Sequence, residues 1–387
     1  MTGNAKFDVA IAGGGIVGCA CALACARRGL RVALVERDVL GSGATAAGMG
    51  HIVVMDDSEA QFVLTRYSQE LWRKLDLRVT SEYLETGTLW LAADHAELEA
   101  AERKHASYRE RSVPCRLLTS QGLAIAEPNL ATVLAGALLV SQDAVVYPIA
   151  VALELANRAE RLGAQILVGR VVKSMGHGVL LLSDGTEIHA ERLVNALGAE
   201  ASAVMPNLPV RKRKGHLVIT DRYPGFVRHQ LVELGYLKSA HGSEENSVAF
   251  NVQPRQTGQL LIGSSRQFGD ESTNVDQQIL SSMLARAALY LPGVSELNAI
   301  RMWTGFRAAT PDKLPLIGPS TEDETIWLAT GHEGLGITTS LATAELIAAG
   351  LTGGKSPIDS QPYLPARFGK PAPNTNLGEE KLCTGPA

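Results

Sequence analysis

An α/β fold, α+β overall, is the class the sequence predicts, and three observations carry it. A strand of buried type, Phe7-Asp8-Val9-Ala10-Ile11-Ala12, runs into Gly13-Gly14-Gly15-Ile16-Val17-Gly18 and a helical stretch from Cys19 to Arg28. A second apolar strand, Leu30-Arg31-Val32-Ala33-Leu34-Val35, follows Gly29 and ends on an acid, Glu36. Further along, runs such as Leu217–Thr220, Val248–Val252 and Gln259–Ile262 alternate like antiparallel strands. The 387 residues suit two domains or one large one. Hydrophobic residues at 45% and charged residues at 20% describe a folded chain rather than a disordered one. Thirty-six basic against forty acidic residues argue against a nucleic-acid binder, which carries a basic excess.

The first unit is strand, glycine turn, helix, strand, acid. Glycines at Gly13, Gly15 and Gly18 permit a tight turn, the approach of a pyrophosphate, and close packing of helix on strand. The helix N-terminus adds N–H groups and the positive end of its dipole. Glu36 stands where a carboxylate accepts hydrogen bonds from ribose hydroxyls. Together these predict a Rossmann-like dinucleotide site, and the motif alone leaves NAD and FAD open. The ribbon that follows, Gly41-Ser42-Gly43-Ala44-Thr45-Ala46-Ala47-Gly48-Met49-Gly50, is made of small residues suited to backbone contact along an extended cofactor. Composition departs from average at glycine: 38 residues, clustered at 13–18, 41–50, 331–336 and 350–354.

Cysteine adds little. Cys19, Cys21, Cys25, Cys115 and Cys383 contain no C-x-x-C pair, and no metal site is expected. The first three read as buried small hydrophobes. An odd count without a disulfide framework favours a reducing compartment, so a cytoplasmic location is expected. Val9–Ala26 is uncharged, but Asp8 before it, the glycines within it and Arg27-Arg28 after it do not suit a signal peptide. No apolar run has the length of a membrane span.

At this point the chain resembles the FAD-dependent amine oxidoreductases of the D-amino-acid oxidase and glycine oxidase family. Five segments carry the likeness: the two glycine stretches, then Leu193-Val194-Asn195-Ala196-Leu197-Gly198-Ala199-Glu200-Ala201-Ser202, then Trp303–Gly318 with its Thr310-Pro311-Asp312 turn, then Ala329-Thr330-Gly331-His332-Glu333-Gly334-Leu335-Gly336-Ile337 before a helix. Ala44–Asp57 and Gly331–Ile337 resemble the catalytic (beta) subunits of bacterial D-hydroxyproline dehydrogenases, and opine oxidase and hydrogen cyanide synthase subunits share the pattern. The resemblance implies an amino-acid dehydrogenase. It would oxidise the C–N bond of a D-amino or imino acid, D-hydroxyproline or D-proline favoured, to an imine and pass electrons to a partner in a hetero-oligomer. The alternatives are a glycine, sarcosine or opine oxidase, and an FAD-bound structural subunit without activity. Non-covalent FAD is implied, because the position at which sarcosine oxidases tether flavin to cysteine is Gly305 here. Leu261 matches their oxygen-activating lysine, which favours a dehydrogenase.

The resemblance also implies a discontinuous FAD-binding domain, residues 1–85, 145–215 and 310–370. An antiparallel-sheet substrate domain, 86–144 and 216–309, interrupts it, and 371–387 form a loose tail. Cofactor contacts are expected from Gly13, Gly15, Gly18, Glu36 and Arg37, and from Gly43, Ala44, Thr45, Ala47, Gly48 and Met49 of the ribbon. Val172, Ala196 and Gly198 are expected to add to them, as are Gly331, Gly334, Leu335, Gly336 and Ile337 at the flavin ring. Arg307 is the expected clamp for a substrate carboxylate, since a guanidinium holds one through two parallel bonds. Glu333 is expected either to hold a substrate amine or to cap the following helix. His51 stands at the flavin-facing end of the ribbon as a candidate catalytic group; His216 and Tyr236 are weaker candidates. His332 reads as a packing residue. The run Arg211-Lys212-Arg213-Lys214 reads as a solvated strand or a docking face for an electron-transfer partner.

Overall fold

A computed structural model describes residues 7–77, 79–235 and 246–369. Tyr236 and the 371–387 tail lie outside the described residues. The first of two large sheets is centred on Phe7–Ala12, which pairs in parallel with Val32–Glu36 on one side and Glu187–Asn195 on the other. Gln165–Val168 and Ile326–Thr330 extend it in parallel, and Leu316–Pro319 closes it antiparallel. Phe7–Ala12 and Val32–Glu36 are short, apolar and buried on both faces, as the centre of a parallel sheet between two layers requires. On one face pack the helices Ile16–Arg27, Pro148–Arg161 and Gly336–Leu351, with Cys19, Cys21 and Cys25 fully buried among them. On the other lies the hairpin Val172–Gly176 and Val179–Leu182, turned at His177-Gly178 and joined to Glu187–Asn195 through the turn at Gly185. The expected strands at Glu187–His189 and from Leu193 are one continuous strand.

The second sheet also has eight strands, in the order Ala299–Ala309, Arg211–Arg222, Gln259–Gln267, Asn246–Pro254, Gln230–Glu233, Thr88–Ala92, Gly136–Val140, Cys115–Thr119. All pairs are antiparallel except Gln230–Glu233 with Thr88–Ala92. It takes up the chain at Arg211, ahead of the boundary expected at 215, because Arg211–Arg222 pairs along its length with Ala299–Ala309. The sheet has two different faces. Leu231, Phe250, Val252, Leu260 and Ile262 pack on the helix Gln277–Tyr290, which Asp276 caps by accepting from Gln278 N and Ile279 N. Leu217 and Leu261 point the other way and meet Met49 of the ribbon. The ribbon is thus held between the two sheets, and His51–Ile52 is anchored there by pairing with Ala144–Val145. Among the described residues no helix is long and apolar enough to cross a membrane.

Candidate active site

The glycine turn has the shape a bound pyrophosphate requires. Gly13 has φ +106°, and a Cβ there would lie 2.5 Å from Ala196 O; one at Gly18 would lie 1.8 Å from Gly13 O. Gly15 caps the helix Ile16–Arg27 and contributes no side chain to it. Glu36 is buried at the end of its strand, and its Oε2 accepts from Gly14 N at 2.6 Å while Oε1 accepts from Asp38 N at 2.8 Å. Thr45 Oγ1 of the ribbon accepts from Ile16 N at 3.0 Å. So Gly13, Gly15, Gly18, Glu36, Thr45 and Ala196 form one cluster. Gly43 and Gly198, both at positive φ, face open space beside it, and Arg37 is exposed, paired with Asp38. Val172 is half-buried on the first sheet's far face.

Further along, the ribbon is wedged between the second sheet and the C-terminal helix. A Cβ at Gly305 would lie 2.3 Å from Ala47 Cβ, and one at Gly48 would lie 2.7 Å from Ile337 Cδ1. Trp303 Nε1 donates to Ala47 O at 3.3 Å and Gln253 Nε2 to Met49 O at 2.8 Å. The turn Gly331–Gly336 lies beside this wedge and leads into a helix whose N-cap, Leu335, has no capping side chain. A cradle of glycines with two helix N-termini whose own N-cap residues supply no capping side chain fits an elongated, anionic dinucleotide.

Arg307 projects from its strand across the neighbouring one. Gly215, the register partner of Gly305, leaves the space: a Cβ there would lie 2.4 Å from Arg307 Nη1 and 2.8 Å from Nη2. Nη1 donates to Ser265 O, one strand further, at 2.9 Å. Glu333 Oε2 is buried without a hydrogen-bond partner among the described residues, and its side chain does not cap the following helix. Its Oε1 is paired with Arg213 Nη1 at 2.9 Å, and its N–H donates to Ala308 O. Arg213 stands directly opposite Arg307 in register, so one carboxylate is shared with the nearer of two adjacent cations. The solvated-strand reading of the basic run therefore fails for half of it: Arg213 is 7% and Lys214 0% exposed, the latter bonded to Asp270 at 2.6 Å. A buried charge needs a partner, and each has one.

The histidines separate. His51 is half-buried beside the ribbon, with Nδ1 against Gln230 Oε1 and Nε2 3.3 Å from Asn251 Nδ2. Burial holds its pKa below the usual 6.5, the bond to Gln230 opposes that, and the Arg307 charge adds to it. His216 lies on the opposite face of the sheet. It is held by Ser265 Oγ and by Asp276 N–H, away from Arg307's guanidinium. His332 is buried with Nε2 3.0 Å from Thr343 Oγ1, and burial pushes it down to about 4. Leu261 packs on Met49 and Leu217. Gly215, Ser265, Gln230, Asn251 and Gln253 had no motif to single them out; only the pairing of distant strands brings them here.

The family model of FAD dependent oxidoreductases, DAO, matches residues 8–349. The chain belongs to the DAO family. FAD is the family's cofactor, and the DAO enzymes related to this chain act on amino-acid C–N bonds. The hydrogen cyanide synthase subunit HcnC of Pseudomonas aeruginosa is 28% identical, with 94% of this chain and 97% of that protein covered. Glycine oxidase of Geobacillus kaustophilus is 27% identical over 92% and 96% of the two chains. Its crystal structure superimposes with a TM-score of 0.84, covering 93% of this chain and 98% of that one at 28% identity. The L-proline dehydrogenase structure from P. horikoshii gives 0.85 at 25% identity, covering 94% and 98%.

Proposed function

We propose that this DAO protein oxidises the Cα–N bond of a small amino or imino acid whose carboxylate Arg307 holds. The position of the Arg307 guanidinium carries this reading: it is laid over Gly215, anchored at Ser265 O, and lies beside the cradle of the ribbon and the Gly331–Gly336 turn. The bond to Ser265 O orients the fork, so less freedom is lost when a carboxylate is gripped. Glu333 is paired with Arg213, the register neighbour of Arg307. FAD, when bound, supplies the two-electron acceptor for a hydride from Cα. Glu36 would hold its ribose and the Gly13–Gly18 turn its pyrophosphate.

The favoured substrate within this class is D-hydroxyproline or D-proline. Gln253 Oε1 is buried without a hydrogen-bond partner among the described residues, an acceptor suited to a ring hydroxyl. The names of the related glycine oxidases favour glycine as a second reading. The electron acceptor in the first reading is a partner subunit, in the second oxygen. Anaerobic bleaching of the flavin by a panel of D-amino acids, imino acids, glycine and sarcosine separates them. Fast bleaching by D-hydroxyproline supports the first reading, fast bleaching by glycine alone supports the second, and no bleaching by any member overturns both.

A further inference from the structure

We propose that His51 Nε2 is the base that takes the proton from the substrate's ammonium group, with Asn251 Oδ1 as a second acceptor for the same nitrogen. This rests on the amino-acid reading above and assigns roles within that site.

The tautomer follows from the neighbours. Gln230 Nε2 donates to Ala144 O at 2.9 Å, and a carbonyl only accepts, so the amide of Gln230 has one orientation. Its Oε1 then faces His51 Nδ1, which must carry the hydrogen. In the neutral ring the lone pair is on Nε2. Asn251 Nδ2 lies 3.3 Å from it, as a donor to a lone pair would, and this turns Asn251 Oδ1 outward, buried and without a partner among the described residues. Of these two acceptors, Nε2 is met only by the long 3.3 Å contact from Asn251 Nδ2, and Asn251 Oδ1 is met by no donor among the described residues.

Location connects them to the clamp. The Arg307 guanidinium ends at Ser265 O, two residues along the strand from Gly263. Gly263 is the register partner of Asn251 on the next strand. Two residues of strand cover about 6.6 Å and adjacent strands are about 4.8 Å apart, so the guanidinium's anchor and the acceptor pair are about 8 Å from each other, the span of an amino acid's carboxylate and amine with a hydrogen bond at each end. The groups packed on His51 are neutral Gln230 and Asn251 and the Thr338 hydroxyl on its own carbonyl, and the charge that acts on it is that of Arg307. Asp143, on the next segment, is turned to Val54 N and Gln69.

In the step, the substrate ammonium displaces the long 3.3 Å Asn251 Nδ2–H contact from the Nε2 lone pair, an ammonium N–H bond breaks and an Nε2–H bond forms, with the electron pair left on the amine nitrogen. That pair is what the hydride loss from Cα requires. The imidazolium keeps Nδ1–H on Gln230 Oε1, so Gln230 is a positioning residue.

The test uses the full-length FAD-loaded protein in anaerobic stopped-flow reduction, with wild type and His51→Gln compared from pH 6 to pH 10. The variant is expected to fall about 100-fold at neutral pH and to converge with wild type as the substrate amine loses its own proton. An equal loss at every pH, or none, overturns the proposal. Should His51→Gln not hold flavin, wild type alone decides: two substrates with different ammonium pKa values share one acid limb if the base is His51. A limb that moves with the amine overturns it. Nitrogen-15 NMR of the histidines is a readout apart from activity, expected to show His51 protonated on Nδ1; protonation on Nε2 alone overturns the assignment. If no amino or imino acid reduces wild-type flavin, the amino-acid reading itself fails. If reduction proceeds unaltered in His51→Gln, only this proposal does.

Discussion

Replacing Gly215 by alanine tests the proposed Arg307 clamp apart from everything else in the site. The backbone at Gly215 is not at positive φ, so alanine is tolerated by the main chain. The added methyl would lie 2.4 Å from Nη1, 2.8 Å from Nη2 and 2.9 Å from Cζ, so the guanidinium must lift by roughly 1 Å to reach ordinary contact. Lifting breaks the 2.9 Å bond to Ser265 O and tilts the fork away from a bidentate approach. Losing one charge-assisted bond to a carboxylate is worth about 1.5–3 kcal/mol, which is roughly 10- to 100-fold in kcat/KM. The loss should fall mainly on KM, because the carboxylate is held in both ground and transition states. Gly305→Ala is the paired control. Its methyl meets Ala47 Cβ at 2.3 Å, so it should push the ribbon and weaken FAD retention instead. The assay is steady-state dye reduction with a bleaching substrate, alongside flavin content by absorbance. A KM within twofold of wild type in flavin-replete Gly215→Ala would refute the clamp.

Four other outcomes are expected. Glu333→Ala leaves buried Arg213 without its carboxylate and should cost about 3 kcal/mol in urea unfolding; an unchanged midpoint would mean the pair contributes nothing. Burial raises the Asp143 carboxyl from 3.8 to about 7, so its protonated form favours the fold at low pH and that stability is lost as pH rises from about 4 to 7. Asp143→Asn, which keeps an acceptor for Val54 N and Gln69, should therefore gain about 2–4 kcal/mol at pH 8 and little at pH 4; equal Tm values at pH 8 would contradict this. His332 works in the opposite sense, since its depressed pKa of about 4 removes stability as pH falls below 6.5, so the Tm of Asp143→Asn should drop more steeply than wild type between pH 6.5 and 4. Acid precipitation should leave yellow FAD in the supernatant; a yellow pellet would show a covalent link.

The dinucleotide cradle was legible because its determinants are close along the chain. The buried strand, the three glycines and Glu36 dictate a strand, a turn and a helix through backbone sterics and hydrogen bonding within one βαβ unit. The ribbon and the Gly331–Gly336 turn were legible for the same reason: small residues permit close approach wherever they fold. The helix Gln277–Tyr290 behind the second sheet was missed, since alternating strands on either side drew the reading toward sheet alone. The solvated-strand expectation for the basic run fails at Arg213 and Lys214 for a physical reason too. Charge along a strand says nothing about which face is covered, and partners for Arg213 and Lys214 come from Glu333 and Asp270.

By itself, then, the sequence determined that glycines cluster where a long cofactor can lie and that one arginine precedes the Thr310-Pro311-Asp312 turn. What Arg307 does with its length was decided by tertiary structure, through the register that sets Gly215 opposite Gly305 and opens a furrow. The same holds for Glu333 with Arg213, 120 residues apart, and for His51 with Gln230 and Asn251, 179 and 200 apart. Backbone conformation is set by neighbours in sequence, so a glycine turn announces itself. The partner of a buried charge or a histidine nitrogen is set by strand pairing across the chain, and no local pattern encodes it.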